Sequence, residues 1–503
     1  MKDVTVLTGP PGCGKSDRLR EDVIRRPGLY LFCAPTIPLI KEQVARFAAE
    51  APSIQVHRAD SGRGRGTVQR HLDDARAAIA ASGVERAVVF ATHDALMMRD
   101  LTAFMGWHVR IDEAPNAAKS GTISMGQSRS FFEARLDLAP VGDTGWSGVS
   151  LKGAATSWVD WSKDHLTKPL VDFFKLVSGP SGVFVNVADW NTVDRFDWWS
   201  IWTPASLADF ASIQIAGASY RKSLGAIVAR KWFANLINLV DQPAPYVRSG
   251  QPAIRVHYFT SVDVPATTLW DSSEGRRRIK AVCDHLATHV PDLGYWSGND
   301  DVLKLMEWRL AGDCTAPKVA GQNKWRMLTK CAFIYSSQAV PADRPLQETF
   351  GISKDEIRAA REDEDILQFA MRGAIRNKDF DGEYDIYLYS QRQAEGLADL
   401  LREHGVGRSV DMIPVPEAGI MDVVDQRTSK ASFIVPAVSR ASKSPPARVM
   451  SPTGKLVLPK SLQRNTARAK AREQAPKKRG RPQKATKLGA HIDDSDSKSG
   501  PNN

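Results

Sequence analysis

The sequence is short of cysteine. Its 503 residues hold five, at positions 13, 33, 283, 314 and 331, and no two form a C-x-x-C pair. An odd, scattered set offers neither a zinc site nor a disulfide framework, and it fits a reducing compartment. No run of about 18 apolar residues occurs, so no membrane-spanning helix is expected. The first apolar stretch, Val4-Thr5-Val6-Leu7-Thr8, runs directly into a glycine-rich loop, which argues against a signal peptide. The expected setting is therefore cytoplasmic, or nuclear if the source is eukaryotic. The body of the chain also has almost no net charge. From Ser429 to Asn503 there are 17 Lys or Arg against 4 Asp or Glu, a net of +13, whereas the whole chain is +11. Residues 1–428 therefore sum to −2, and the basic character belongs to the tail.

Against these absences stands one dense motif. Gly9-Pro10-Pro11-Gly12-Cys13-Gly14-Lys15-Ser16 fits G-x-x-x-x-G-K-[ST] at every fixed position. A β-branched apolar run precedes it, and Asp17 to Ile24 follows with Leu19 and Val23 on one helical face. Strand, glycine loop and helix are the context in which backbone N–H groups wrap phosphates. Lys15 is expected to reach the β- and γ-phosphates of a nucleoside triphosphate such as ATP, and the Ser16 hydroxyl to hold Mg²⁺.

Further strands are expected at 29–34, 87–91, 109–111 and 212–219, with a helix over 38–50. Such alternation predicts a parallel sheet covered on both faces. Residues 118–205 break the rhythm with Trp146, Trp158, Trp161, Trp190, Trp198, Trp199 and Trp202, which reads as an inserted subdomain. Its tryptophans suit a packed core, or else an aromatic platform for unstacked bases. A second strand series follows at 254–259, 331–335 and 384–389. Beyond about 430 the chain is rich in Ser, Pro, Lys and Arg and is expected to be disordered.

Asp112-Glu113 closes the strand Val109-Arg110-Ile111, at the edge where open α/β sheets bind ligands. Asp112 is placed to hold Mg²⁺, and Glu113 to orient and deprotonate an attacking water. Gln368, Arg372 and Arg376 are spaced by four, which predicts one helix face carrying two permanently charged guanidiniums for a γ-phosphate.

Taken in order, these segments resemble the superfamily 2 helicases and translocases. Asp112-Glu113-Ala114-Pro115 resembles their D-E-A-D or D-E-x-H box, with Pro115 departing at the fourth place. Pro35-Thr36, with Leu39 and Gln43 following, is similar to the family's first nucleic-acid-contacting segment. Thr92 and His93 stand where a second such segment falls. Gly217-Ala218-Ser219 resembles the S-A-T motif that couples nucleotide to nucleic acid. Gly321-Gln322-Asn323 resembles the fifth motif, and Gln368 to Arg376 the last one, Q-x-x-x-R-x-x-x-R. Only eight residues precede Gly9, leaving no place in this chain for the adenine-reading glutamine motif, which favours the DNA-directed branches.

The resemblance implies two RecA-like α/β domains facing across an ATP and Mg²⁺ site. They are expected at 1–228, interrupted by the insertion at about 118–205, and at 229–410. A linker and tail follow at 411–503. Within it Lys477 to Lys484 resembles an AT-hook, with Arg479, Gly480, Arg481 and Pro482 as the core that lies in an A·T-rich minor groove. The implied activity is a DNA helicase or translocase of phage or mobile-element type, with single-stranded DNA across both domains. Alternatives are a duplex translocase that leaves strands paired, and a non-motor DNA-binding protein switched by ATP.

Overall fold

The structure is a computed structural model that describes residues 1–422, apart from 64–66, 142–144, 153–169, 193, 263–269, 271 and 318–323. The tail with Arg479, Gly480, Arg481 and Pro482, the segment from Gly321 to Asn323, and Trp158 and Trp161 lie outside the described residues.

The chain opens with β1 (Lys2–Thr8), β2 (Gly28–Ala34), β3 (Gln55–Ala59), β4 (Arg86–Thr92) and β5 (His108–Asp112). It then leaves for an insertion of β6 (Ala118–Ser124), β7 (Leu136–Pro140), β8 (Trp146–Leu151), β9 (Val183–Asn186) and β10 (Arg195–Ile201). It returns through β11 (Ser212–Ala216) and β12 (Ile237–Pro243). These strands make a seven-stranded sheet in the order β12-β1-β11-β5-β2-β4-β3, parallel throughout. Alternation along β2 explains why helices cover both faces. Leu31 and Cys33 point into one core, while Tyr30, Phe32 and Ala34 point into the other with Leu19 and Phe47 of the flanking helices.

A second parallel sheet, β15-β14-β16-β17-β13-β18, is built from β13 (Ala253–Thr260), β14 (Tyr295–Gly298), β15 (Asp313–Cys314), β16 (Lys330–Ile334), β17 (Glu383–Ser390) and β18 (Ser409–Pro414). The fold is thus α/β with two RecA-like parallel sheets. The first sheet runs on to Pro243 rather than closing at 228, because β12 pairs along the whole of β1. Likewise β18 carries the second sheet past 410. The expected strand at 212–219 stops at Ala216, leaving Gly217 to Ser219 as a loop.

The insertion forms an antiparallel five-stranded sheet, β6-β10-β9-β8-β7. Its described tryptophans are core residues: Trp146, Trp190, Trp198 and Trp199 are all buried, as is Trp202 beyond the sheet. They therefore make no exposed platform for bases. Trp146 and Trp199 join Leu346, Phe350, Ile352 and Ile357 of the second domain in one apolar cluster. Trp199 meets Phe350 edge to face at 4.9 Å. Alongside, the Ser120 hydroxyl donates to Asp343 at 2.6 Å, and Asp343 takes both guanidinium arms of Arg361. The insertion is bolted onto the second domain as well as the first.

Candidate functional site

The phosphate loop follows β1, between the C-terminal edges of β12 and β11. Gly12 and Gly14 adopt φ of 83° and 92°, a left-handed conformation that favours glycine there. Gly12 has a second constraint, since a Cβ on it would lie 3.0 Å from Cγ of Arg376. The Lys15–Arg25 helix starts directly after Gly14, so its free N–H groups and dipole face the loop. Lys15 Nζ donates to the Gly9 and Pro10 carbonyls at 2.7 and 2.9 Å.

Asp112 ends β5 and is buried. One of its oxygens accepts from the Ser16 hydroxyl at 2.7 Å. The other is buried with no protein partner, so a hard cation has a carboxylate oxygen and a hydroxyl to meet. Among the described residues no group of three or more His, Cys, Asp or Glu could hold a metal alone. The free Asp112 oxygen and the Ser16 hydroxyl suit Mg²⁺, which takes one or two protein oxygens and fills its octahedron with phosphate and water. Glu113 sits at φ 65°, a left-handed backbone that swings its carboxylate off the strand line. Burial pushes its pKa up to about 7, with the Asp112 charge adding to the rise and Arg372 opposing it.

The opposite wall comes from the second domain. A cleft of about 630 Å³ is lined by Lys15, Ser16, Asp112, Glu113, Gly217 and Ala218 on one side, and by Gln368, Arg372 and Arg376 on the other. The three second-domain residues do converge, but not on one continuous helix. The helix ends at Ala370, and Arg376 belongs to a separate turn, Ala374–Arg376. Two buried phenols receive the end of the helix. Tyr295 donates to the Phe369 carbonyl at 3.0 Å and Tyr384 to the Ala370 carbonyl at 2.9 Å, capping carbonyls at the end of the helix. The Tyr384 ring then lies where a side chain on residue 373 would stand, which Gly373 permits. Burial lowers the pKa of both arginines.

The cleft also contains Gln43 and Arg46 from the Ile37–Glu50 helix, and Arg326 and Lys378 from the second domain. Of these, only Gln43 belongs to a motif legible in the sequence. Thr36 and Thr92 are helix N-caps, accepting from Leu39 N and Ala95 N; neither they nor Pro35 line the cleft. His93 is buried, not offered to a ligand. Its ring is 2.9 Å from the Asp112 carbonyl, and burial lowers its pKa to about 4. It braces the acidic strand from within. Ser219 reaches the second domain, where it bonds to Glu364.

No family model matches the chain, and no curated protein matches it. Among solved structures, the chain is similar to S. tokodaii Xpd4 at 12% identity, over 82% of this chain and 96% of that one, with a TM-score of 0.40. A DEAD box protein from Methanococcus jannaschii matches at 8% identity over 82% and 88%, TM-score 0.25. RecG bound to a three-way DNA junction matches at 10% over 81% and 42%, TM-score 0.33.

Proposed function

We propose that this chain is an ATP-driven motor on DNA, a helicase or translocase whose two RecA-like domains close on the nucleotide. The observation that carries the reading is the meeting of the Gly9–Ser16 loop and Asp112-Glu113 with Gln368, Arg372 and Arg376 across one cleft. Either wall alone would be a phosphate-binding loop or a basic turn. Together they support a reading in which cations from one domain face a phosphate bound on the other, which would link hydrolysis to domain movement.

In this reading Lys15 exchanges its two carbonyl partners for phosphate oxygens when ATP enters. Ser16 and Asp112 would hold a magnesium ion, whose charge would offset that of the phosphates. Glu113, with its pKa near 7, accepts the proton of the attacking water. The Gln368 amide orients that water. Arg372 and Arg376 stabilise the charge that spreads over the transferred phosphoryl oxygens. A nucleic-acid track rests on the order of the motifs through Gly217 to Ser219, and DNA rather than RNA on the basic AT-hook-like segment Lys477 to Lys484. The AT-hook-like tail would add a second hold on A·T-rich duplex.

ATP hydrolysis by the purified chain, alone and with single-stranded DNA, duplex DNA or RNA, tests the reading. Turnover stimulated by DNA, with strand displacement on forked substrates, is expected. Turnover indifferent to every nucleic acid removes the motor and leaves an ATP-switched binding protein. Stimulation by duplex without strand displacement identifies a translocase.

A further inference from the structure

Glu364 belongs to none of the motifs, yet it touches two of them. It stands on the Lys354–Ala370 helix four residues before Gln368, so both side chains leave on one face. One carboxylate oxygen accepts from the Gln368 amide Nε2 at 2.9 Å. The other accepts from the Ser219 backbone N–H at 3.1 Å and from the Ser219 hydroxyl. Ser219 follows β11 in the first domain, and Gln368 lines the cleft from the second. A single carboxylate thus spans the seam, with one oxygen committed to each side.

This arrangement has a chemical consequence for Gln368. An amide carries donors at one end and an acceptor at the other. Holding the donor end on Glu364 fixes which end the amide can offer to the cleft. The fixing depends on where Glu364 is, and Glu364 is held by Ser219. If the Gly217 to Ser219 loop moves relative to the second domain, the carboxylate loses its bonds on one side. The bonds are charge-assisted, which makes the bridge selective for one relative placement of the domains.

We propose that Glu364 is a positioning residue that couples the Gly217 to Ser219 loop of the first domain to the Gln368 amide in the cleft. The inference rests on the ATP-driven reading above. It makes hydrolysis sensitive to the alignment of the two domains through a residue that touches neither phosphate nor metal.

Glu364→Gln keeps the size of the side chain but sets its own NH₂ against either Ser219 or Gln368, a donor facing a donor. The test is steady-state ATP hydrolysis by the full chain as wild type, E364Q, S219A and the double variant, with the Tm of each. E364Q is expected to lower kcat by about tenfold, the size of an ordinary coupling between sites. The KM for ATP should stay within about twofold, because the loss falls after binding. The double variant should be no slower than E364Q alone, since the hydroxyl bond that S219A removes belongs to the same bridge that E364Q breaks. Wild-type kcat in E364Q, or losses that multiply in the double variant, overturns the proposal. Should E364Q fail to fold, E364D, whose arm is one methylene too short for the span from Gln368 to Ser219, carries the test, and a wild-type kcat there overturns it. A wild-type chain without ATPase activity brings down the motor reading and this inference together. An active wild type with unaffected variants sinks only the inference.

Discussion

Lys15 carries the strongest single expectation. Lys15→Ala should abolish ATP hydrolysis, and retention of full turnover would remove the phosphate-loop assignment. Arg376→Ala should leave nucleotide binding nearly intact and lower kcat by about 10³-fold, the lower range for an arginine finger; a normal kcat would return that turn to a surface role. Gly373→Ala offers a stricter check of how the arginines are aimed. Its methyl would meet the Tyr384 ring, so the turn must shift and kcat should fall even though no charged group is altered. At this scale the sequence spoke clearly wherever the chemistry is local. The loop from Gly9 to Ser16 needs its glycines because of its own backbone. Gln368, Arg372 and Arg376 were legible as residues, but their path was not. The end of the helix is capped by Tyr295 and Tyr384; Tyr295 lies on a strand remote in the chain, and within 368–376 Gly373 alone signals the break. Glu364 was silent for the same reason, since its partner Ser219 belongs to the other domain.

Among the elements, β13 and β17 make a separately testable pair. Asp385 on β17 accepts from both arms of Arg255 at 2.6 and 2.8 Å and lies 2.9 Å from the His257 ring on β13. These partners hold its carboxyl far below the usual carboxylate range, against the opposing effect of burial. A depressed folded-state pKa gives stability that is full above the unfolded value, about 3.9, and is lost as pH falls below it. Asp385→Asn should therefore lower Tm at pH 7 and narrow the gap to wild type at pH 3. A gap that stays constant with pH would mean that the carboxylate adds no pH-dependent stability. The strands of both sheets were mostly legible because their apolar runs are long and β-branched. The edge strands β3, β12, β15 and β18 were not, since they are short or polar and owe their place to a neighbour. In the insertion, Trp199→Ala should cost about 3–5 kcal/mol, the usual loss for an aromatic core residue. That loss would be read as a lower Tm, and an unchanged Tm would mean that the seam with Phe350 is loosely packed.

For the whole molecule, the charge is divided between a near-neutral body and a basic tail. Deleting residues 429–503 should weaken binding to A·T-rich duplex and flatten its salt dependence, while ATP turnover without DNA persists. Loss of folding on deletion would show that the tail is no tether. No helix among the described residues is long and apolar enough to cross a membrane.

The pairing of β1 with β11 and β12 also sets an order of assembly. The strand that carries the phosphate loop is made before the other strands of its sheet, yet both of its neighbours lie beyond residue 211. Until the antiparallel insertion has been synthesised, β1 has no strand to join, so the nucleotide loop is among the last parts of its own domain to be fixed. Nascent chains halted before β11 should consequently fail to retain ATP, even though every residue of the loop is already present.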